Sequence, residues 1–526
     1  MDQQQRDQQW RLLLAFGLSI LLWVGYQKLV IERYETPPPP PGEVATQETG
    51  STPNTTLPPP PAATARETGD VAAAPDGATV VVDTDLTRAT ITTRGGRLLA
   101  LELKAYPQTN LPGSPPLNLV APGDVLPLTV ELTDGQSDAA VQYGADVTAL
   151  QSTGSERRDV VLRGTLTDGR AIEKRFTFQG DQYAFEVEVK VTGGKPSALT
   201  LPMQPPLDAT GVGYETAVSL QGPKYAYEAL NKITPEGLNR PGATWSGFAT
   251  HYFLTALAPL SGPTDAAYHL LGKDIQVMRQ AAASDAASFV VYAGPKDETA
   301  LERAGHQLSR ALDFGYFWFA AVPLLHALRF LNRVFGNYGI AIILLTTGVK
   351  ILTIPLTQTS FRNMRAMQKL QPEMTKLREK FKDDPTAMQK EMMELYRRHR
   401  VNPLSGCLPM ILQIPIFIGL YNSLSGAIEL RHAPFALWIR DLSSPDRLMV
   451  AGVGIPVLTL LMGATMLVQQ WLTPQQGDPT QQRVMMFMPL IFTFMFINLP
   501  SGLVLYWLVN NVLTIAQQYW MLRTSK

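Results

Sequence analysis

Apolar residues are concentrated at the two ends of the chain, and a long polar region separates them. A first apolar run covers residues 12–31. Five more lie in the last third, at 338–356, 404–427, 450–471, 484–499 and 502–521. A helix needs roughly 20 apolar residues to cross the hydrocarbon core of a bilayer. The pattern therefore predicts six membrane-spanning helices.

Two interpretations compete for the first run, an uncleaved anchor and a cleaved signal peptide. The run contains Trp23 and Tyr26, and Lys28 lies at its end. No small-x-small cleavage pattern follows it directly, which favours the anchor. Residues 1–11 are then a short N-terminal segment in front of the first span.

The loop between the second and third spans, residues 358–403, carries more Lys and Arg than Asp and Glu. By the positive-inside rule this loop is cytoplasmic. With six spans, both termini are then cytoplasmic and residues 32–335 lie outside. The basic residues near the two ends, Arg11 and Arg523 among them, agree with this orientation.

The outer region divides by its residue pattern into three parts. Residues 32–77 are rich in Pro, Ala and Thr, which is typical of an extended linker. Residues 78–311 alternate apolar and polar positions between Gly-containing turns, which predicts an all-β sandwich. Residues 312–335 form an aromatic, amphipathic pattern and predict a helix at the membrane interface, although a core helix of the sandwich remains open.

Apolar residues recur every three or four positions along the basic loop. Met364, Met367 and Met374 belong to this series, which predicts a helical hairpin with a methionine-rich seam. Methionine suits a surface that receives varied partners, but the seam equally suits a contact that holds the hairpin together. The basic outer face, including Arg397 and Arg398, suits lipid headgroups, ribosomal RNA or a nascent chain.

Lys350 is the charged residue of the second span, and Thr346 lies four residues before it on the same helical face. One interpretation is that Lys350 extends to the headgroups, and the other is that it faces a water-filled cavity inside the bundle. The spans contain no Asp or Glu for a proton relay, and the chain has no phosphate-binding loop for nucleotide hydrolysis. An unpaired cation suits the reception of an anionic group that arrives with a substrate.

Charge and composition exclude several other kinds of chemistry. The formal net charge is zero, so no overall field favours DNA binding. The single cysteine excludes an internal disulfide, and the histidines are scattered without the spacing of metal ligands. No set of residues has the pattern of a catalytic site, so we expect neither an enzyme nor a cofactor.

The last 190 residues carry extended motifs that resemble the YidC/Oxa/Alb family of membrane protein insertases. These motifs include Gly336-Asn337-Tyr338-Gly339, Gln413-Ile414-Pro415-Ile416-Phe417, Phe487-Met488-Pro489 and Pro500-Ser501-Gly502-Leu503. The outer domain resembles the periplasmic β-supersandwich of the Gram-negative members. The resemblance implies a bacterial inner-membrane protein with a five-helix core (336–526) that inserts and folds other membrane proteins, alone or with the Sec translocon.

The resemblance also implies site residues and partners. It implies a hydrophilic groove that opens to the cytoplasm, with Lys350, Thr346 and Tyr506 in contact with the substrate. Most bacterial members have Arg at the position of Lys350, so the charge is kept here but the fork of donors is lost. Along the third and fifth spans, the residues past which a substrate would slide are Met410, Ile414, Phe417, Met488 and Phe492. The implied partners are nascent membrane proteins, Sec translocon components, lipids and the ribosome. Two alternatives from other classes are a solute channel or transporter and a membrane-anchored envelope protein that binds carbohydrate.

Overall fold

The computed structural model describes residues 77–524 with nine gaps. The gaps are 121–124, 203–215, 231–232, 235, 272–274, 283–285, 382–383, 400–407 and 474–478, and the side chains of 275, 286, 385, 408–412, 479–485 and 524 are also not described. The predicted first span and residues 32–76 of the predicted linker lie outside the described residues. The chain divides into two compact units, one of residues 1–55 and 475–488, the other of residues 56–474 and 489–526. The features below belong to the second unit unless stated otherwise.

The helices follow the strands along the chain. Within the described residues they are α1 (Glu298–Ala304), α2 (Trp318–Phe335), α3 (Tyr338–Lys380), α4 (Pro385–Arg398), α5 (Leu408–Gly426), α6 (Val457–Leu472), α7 (Pro479–Phe496) and α8 (Ser501–Thr524). Short 3₁₀ turns occur at Leu308–Ala311 and Ile428–Leu430. Side-chain caps fix the start of several described helices, α3 and α4 among them. Asn337 accepts from the N–H of Ile340 at the start of α3, and Asp384 accepts from that of Ala387 at the start of α4.

The strands form two sheets in residues 79–295 and a small hairpin between α5 and α6. The strands are β1 (Thr79–Thr84), β2 (Thr87–Thr92), β3 (Arg97–Pro107), β4 (Pro116–Asn118), β5 (Val130–Leu132), β6 (Gly144–Ala145), β7 (Ala149–Ser152), β8 (Arg157–Thr165), β9 (Ala171–Gln179), β10 (Ala184–Val191), β11 (Pro196–Pro202), β12 (Thr216–Gln221), β13 (Lys224–Ala229), β14 (Leu238–Ala249), β15 (Phe253–Pro259), β16 (Thr264–Leu271), β17 (Ile275–Ala281), β18 (Ala286–Pro295), β19 (Leu448–Val450) and β20 (Val453–Ile455). One sheet has the order β4-β3-β2-β1-β7. The other runs β5-β11-β17-β16-β14-β15-β18-β10-β9-β8-β6, with β12 and β13 joined to it at β14. We call residues 79–295 the β domain.

Alternation along the strands builds the core of the β domain. In β9, Ile172, Phe176 and Phe178 are buried, and the residues between them are partly exposed. Side chains from both sheets contribute to one shared apolar core. The sheets therefore pack face to face, as the alternating pattern predicted.

A fully buried ion pair lies in this core. Lys174 occupies a core position of β9, and its ammonium contacts the carboxylate of Asp138. The ammonium also donates to the carbonyl oxygens of Gly95 at 2.7 Å and Leu128 at 2.8 Å. Burial lowers the pKa of Lys174, and the neighbouring carboxylate opposes that shift. The ammonium thus joins β9 to loops that border the five-stranded sheet.

α3 is one uninterrupted helix of 43 residues, longer than the predicted second span. It passes through Pro355 and Pro372 and continues into the first arm of the helical hairpin, which it forms with α4. Each proline removes a single backbone donor, and neighbouring helices or side chains can satisfy the freed carbonyl groups. Among the described helices, α3 is the one that is both long and apolar enough to cross a membrane by length and composition. α6 and residues 486–496 form shorter apolar helices.

Arg329 of α2 joins the β domain to the helical core. Its guanidinium contacts Glu429, after α5, at 2.6 Å and Glu298 of α1 at 3.0 Å. Asp297, which caps α1, lies 3.6 Å away. These three carboxylates are the main reason that the pKa of Arg329 is raised, against the opposing effect of burial. The cluster joins α1, which follows the β domain in the chain, to α2 and to the turn after α5.

Candidate functional site

Lys350 lies on α3, within the apolar part of the bundle, and is partly buried. Its ammonium donates a hydrogen bond of 2.7 Å to the hydroxyl of Thr514 on α8. Among the described residues, no carboxylate lies within salt-bridge distance of Lys350. A cation in apolar surroundings that is satisfied only by a neutral hydroxyl retains most of its attraction for an anion.

Thr346, one turn before Lys350, is buried, and its hydroxyl donates to the carbonyl of Ile342 at 2.6 Å. Thr347 and Thr353 make equivalent bonds to carbonyl groups of α3. Hydroxyls bonded in this way satisfy themselves within their own helix. The structure therefore places Thr346 on the same helix face as Lys350 without a direct contact between their polar atoms.

Polar side chains of α8 contact three neighbouring helices. Tyr506 is buried, and its hydroxyl accepts a hydrogen bond from Gln413 of α5. Asn511 donates to Thr465 of α6 at 3.2 Å. The bond between Lys350 and Thr514 adds α3 to this set. α8 thus makes polar side-chain contacts with α3, α5 and α6, which is the arrangement expected when polar groups in an apolar helix face the protein interior.

Further amide groups near Thr514 have incomplete hydrogen bonding. Gln518 donates to the hydroxyl of Thr473 at 3.3 Å, but its carbonyl oxygen is buried without a partner among the described residues. Gln517 has both polar atoms of its side chain buried and without a described partner. Buried amides are normally satisfied by protein or water. The end of α8 near Lys350 therefore offers donors and acceptors to water or to a polar segment of another chain.

An apolar wall stands beside this polar face. Phe417 of α5 meets Trp507 of α8 edge-on, with 4.5 Å between ring centroids, and Phe492 of α7 lies 6.2 Å from the same ring. Ile414 is exposed. Met488 is partly exposed, and the side chain of Met410 lies outside the described residues.

The helical hairpin holds the predicted methionine seam. Met364, Met367 and Met374 are partly buried, and the hydroxyl of Tyr396 on α4 contacts the sulfur of Met374 at 3.6 Å. Arg397 and Arg398 are exposed. Arg398 pairs with Glu394 at 2.6 Å and lowers the pKa of that carboxyl. An open, partly basic depression of about 790 Å³ runs along α4, lined in part by Lys390 and Met393.

The loop between α5 and α6, residues 427–456, covers one end of the bundle. Asp446 accepts from the backbone N–H groups of Leu458 and Thr459 at the start of α6, and from the indole of Trp438 at 2.6 Å. Asp441 accepts from Ser443 and Ser444. These two carboxylates hold the loop in place, since charged acceptors form the stronger class of hydrogen bond.

Glycine allows this loop to approach the start of α3. A Cβ at Gly339 would collide with the ring of Phe435. Asn337 donates to the carbonyl of Phe435 at 3.1 Å from the same turn. The motif Gly336-Asn337-Tyr338-Gly339 thus positions the loop over the first turn of α3.

Sequence reasoning named Lys350, Thr346 and Tyr506 as candidates, but it did not predict that Thr514 accepts from Lys350 or that Gln413 donates to Tyr506. A usable pattern was present in the last span. Its polar residues Asn510, Asn511, Thr514, Gln517 and Gln518 recur at helical spacing in an apolar run. Polar residues with that spacing mark an inward helix face.

Two family models match consecutive parts of the chain. "YidC periplasmic domain" matches residues 79–327, and "60Kd inner membrane protein" matches residues 330–526. The chain is accordingly an inner-membrane protein with a periplasmic β domain followed by a helical core, as the sequence predicted at this level of detail.

Curated relatives match at substantial identity. The chain is 38% identical over 481 residues to "Membrane protein insertase YidC" of Syntrophobacter fumaroxidans, with 84% of this chain and 86% of that protein covered. It is 40% identical over 462 residues to the protein of the same name from Geobacter sulfurreducens, with the same coverage. A crystal structure of an active YidC insertase with its first transmembrane domain resolved covers 84% of this chain and 95% of that chain, at 20% identity and a TM-score of 0.37.

Family membership rests on the two model matches and on the curated relatives. The relatives are named as insertases rather than as enzymes, which confirms the prediction that the chain is not an enzyme. The chain belongs to the YidC family of membrane protein insertases.

Proposed function

We propose that the protein inserts membrane proteins by receiving an acidic or polar end of the substrate at Lys350. The observation that carries this proposal is the position of the Lys350 ammonium, inside the apolar bundle and paired with the neutral hydroxyl of Thr514 at 2.7 Å. A substrate carboxylate exchanges with Thr514 and gains a charge-assisted hydrogen bond. A single ammonium lacks the two-pronged donor geometry of a guanidinium. Lys350 therefore accepts anionic groups of different shapes.

The groove in this proposal consists of Lys350, Thr346 and Tyr506 with the polar face of α8. The side-chain amide of Gln517 and the carbonyl oxygen of Gln518, which have no partner among the described residues, support a wet path beside Lys350, because they can exchange hydrogen bonds with a passing polar segment. The hydroxyl of Thr346 is bonded to its own helix, so this residue contributes packing and local polarity and does not donate to the substrate.

The apolar segment of the substrate leaves along α5 and α7. The residues proposed for this path are Met410, Ile414, Phe417, Met488 and Phe492. The exposure of Ile414 supports it, because an apolar side chain at the edge of the bundle can pass directly from substrate to lipid. The aromatic contacts of Phe417 and Phe492 with Trp507 hold the side chains along one side of the path in place.

The helical hairpin recruits the substrate on the cytoplasmic side. Met364, Met367 and Met374 form a pliable seam, and Arg397 and Arg398 provide a basic surface. The contact between Tyr396 and Met374 also supports the plainer role of the seam in holding the two arms together. Ribosomal RNA and Sec translocon components are proposed as further partners of this surface.

The proposed topology has six spans, with both termini cytoplasmic. Its first span (12–31) is an uncleaved anchor, followed by a linker (32–77), a β-sandwich region (78–311) that includes the β domain, and an interfacial helix (312–335). The last assignment is supported by exposed aromatic residues around α2, among them Tyr316, Trp318 and Phe330. The remaining spans are close to 338–356, 404–427, 450–471, 484–499 and 502–521.

Insertion in this scheme needs no nucleotide. Burial of a substrate helix is favourable by several kcal/mol on insertion scales. The membrane potential adds about 2.3 kcal/mol per 100 mV for each acidic charge that moves outward. The protein lowers the barrier that the polar end of the substrate meets in the bilayer.

The test is reconstitution in liposomes with a single-span substrate that carries a short acidic tail, in the absence of nucleotide. Protease protection of the translocated tail is compared for the unchanged protein, Lys350→Arg, Lys350→Ala and Lys350→Glu. Lys190→Ala, at an exposed position of the β domain, is the matched control. We expect protection with Lys, Arg and the control, and loss of protection with Ala and Glu. Equal protection in all five proteins would remove Lys350 from the mechanism.

A further inference from the structure

A small β-hairpin, β19 and β20 (Leu448–Ile455), stands at the start of α6 and exposes only apolar side chains. Met449 is 65% exposed, Val450 is 49% exposed and Val453 is 65% exposed. The turn residues Ala451 and Gly452 have positive φ angles of 50° and 83°, which suit a tight hairpin turn. This amount of apolar exposure at one short hairpin indicates a contact surface.

The helix that follows the hairpin is too short to span a bilayer by itself. α6 has 16 residues, which corresponds to about 24 Å at the rise of an α-helix. The hydrocarbon core is about 30 Å thick. No charged residue occurs between Leu448 and Leu472. The apolar stretch therefore begins before the first turn of α6 and includes the hairpin.

The exposed surface of α6 continues the apolar surface of the hairpin. Its exposed large side chains are Leu460, Leu461, Leu467, Val468 and Trp471. In an inner-membrane protein, a helix face of this composition contacts acyl chains. The hairpin adds Met449, Val450 and Val453 to the same connected stretch of chain.

The hairpin lies at the periplasmic end of the bundle. Arg431, in the same loop between α5 and α6, donates to the backbone carbonyls of Pro107 at 2.9 Å and Gln108 at 3.3 Å in the β domain. Its guanidinium also lies over the ring of Phe253, 5.5 Å from the centroid. Since the β domain is periplasmic, the loop that carries the hairpin faces the outer leaflet.

Arg447 fixes the base of the hairpin. It donates to the carbonyl of Ile497 at 2.9 Å and to the side chain of Asn498 at 3.0 Å, in the turn between α7 and α8. Asp446, one residue earlier, caps α6. These contacts therefore hold the base of the hairpin at a fixed position on the bundle.

We infer that the β19–β20 hairpin inserts its apolar side chains into the outer leaflet and completes the hydrophobic length of α6. Its partner is phospholipid at the boundary between headgroups and acyl chains. A two-stranded hairpin has unpaired backbone groups at its edges, which need water or headgroups. The hairpin therefore lies at this boundary and not in the middle of the hydrocarbon core.

A depth measurement tests the inference without reference to insertion activity. In a Cys407→Ala background, an environment-sensitive fluorophore is attached to cysteine placed at position 453, 467 or 155. The full chain is reconstituted in phosphatidylethanolamine and phosphatidylglycerol vesicles that contain phosphatidylcholine spin-labelled either near the headgroup or deep in the acyl chain. Leu467 serves as the deep reference, and Ser155, in an exposed turn of the β domain, serves as the aqueous one.

We expect the probe at position 453 to be quenched most by the shallow label, the probe at 467 by the deep label, and the probe at 155 by neither. Absence of quenching at 453 would overturn the inference. A blue-shifted but unquenched probe at 453 would also overturn it, because the surface would then be covered by protein.

A functional measurement adds a second criterion. The variant Val450→Asp with Val453→Asp is compared with Thr153→Asp with Ser155→Asp, which adds the same charge in the β domain. Hydrophobic mismatch is more costly for a short helix in a thicker bilayer. We expect the insertion rate of the hairpin variant to fall severalfold more in long-chain than in short-chain phosphatidylcholine vesicles, and its melting temperature to fall further there too. The control should show no such dependence on chain length. Equal effects of the two variants would contradict the role of the hairpin in matching the bilayer.

Discussion

The ammonium of Lys350 and the hydroxyl of Thr514 join α3 to α8 at 2.7 Å, inside the apolar part of the bundle. Thr514 in turn donates to the carbonyl of Asn510, one turn earlier on α8. This relay orients the Thr514 oxygen so that a lone pair faces the ammonium. Thr514 is therefore a positioning residue that sets the depth at which the cation is held.

Replacement of Thr514 by Val, which has nearly the same shape, should lower the insertion of acidic-tailed substrates severalfold. Loss of a hydrogen bond to a charged group costs about 1.5–3 kcal/mol, so the ammonium of Lys350 moves toward water and away from its position beside α8. Thr514→Ser keeps the hydroxyl and should behave as the unchanged protein. The measurement is protease protection with an acidic-tailed and a neutral-tailed substrate. An equal decrease for both substrates would indicate a purely structural effect.

Replacement of Arg329 by Gln should lower the melting temperature of the full chain in detergent. The guanidinium contacts Glu429 and Glu298 and lies near Asp297, and it is partly buried. Its loss leaves these carboxylates without a cation, at a cost on the order of 1–3 kcal/mol. Arg333→Gln, at an exposed position of the same helix, is the control and should have little effect. The difference between the two variants should shrink at high salt, since salt screens partly exposed charges; a difference independent of salt would argue against an ionic cause.

Replacement of Lys174 by Met should destabilise the β domain by about 3–5 kcal/mol, because it leaves the carboxylate of Asp138 buried without its cation. Asp138 would still accept from the hydroxyl of Tyr143 at 2.9 Å and from the N–H of Val130 at 2.8 Å. The double variant with Asp138→Leu should recover part of the loss, and chemical denaturation of the full chain measures both. Lys190→Met removes a surface lysine that pairs with Glu188 at 2.8 Å and should change little. A double variant as unstable as the single one would show that the charge of Asp138 is not the cause.

The effect of Asp168→Asn should depend on pH. Hydrogen bonding to the Arg170 guanidinium lowers the pKa of Asp168 to about 2, whereas an unfolded Asp titrates near pH 3.9. The folded state therefore binds fewer protons than the unfolded state between these values, and the contribution of Asp168 is fully present above about pH 4 and lost as the pH falls toward 2. Melting temperatures should be lower for the variant at pH 7 and should converge on those of the unchanged protein near pH 2. A constant difference over this range would contradict the pKa assignment.

The sequence predicted much of the architecture because the two kinds of periodicity are strong. Alternation along segments such as residues 184–191 predicted the strands, and the apolar runs after residue 337 predicted the helices of the core. Lys174 could not be assigned in this way. A lysine in a strand is normally exposed, and only the tertiary position of Asp138 explains its burial.

Helix boundaries were harder to predict than the elements themselves. The predicted span 450–471 begins inside what the structure shows as a β-hairpin followed by a shorter helix. Hydropathy does not distinguish an apolar strand from an apolar helix, but Gly452, Gly454 and Pro456 indicate a turn rather than a helix at this place. The partner of Lys350 was missed for a related reason, since the pairing of α3 with α8 depends on how the helices pack.

The uninterrupted course of α3 has a mechanical consequence. Thirty residues separate Lys350 from Lys380 at the tip of the hairpin arm, a distance of about 45 Å along one helix. Over that length, a tilt of about 5° of the whole helix displaces its end by about 4 Å. A force on the hairpin arm that tilts α3 as a whole would therefore also move the segment that carries Lys350. Conversely, a ligand that displaced Lys350 and tilted α3 would move the hairpin arm.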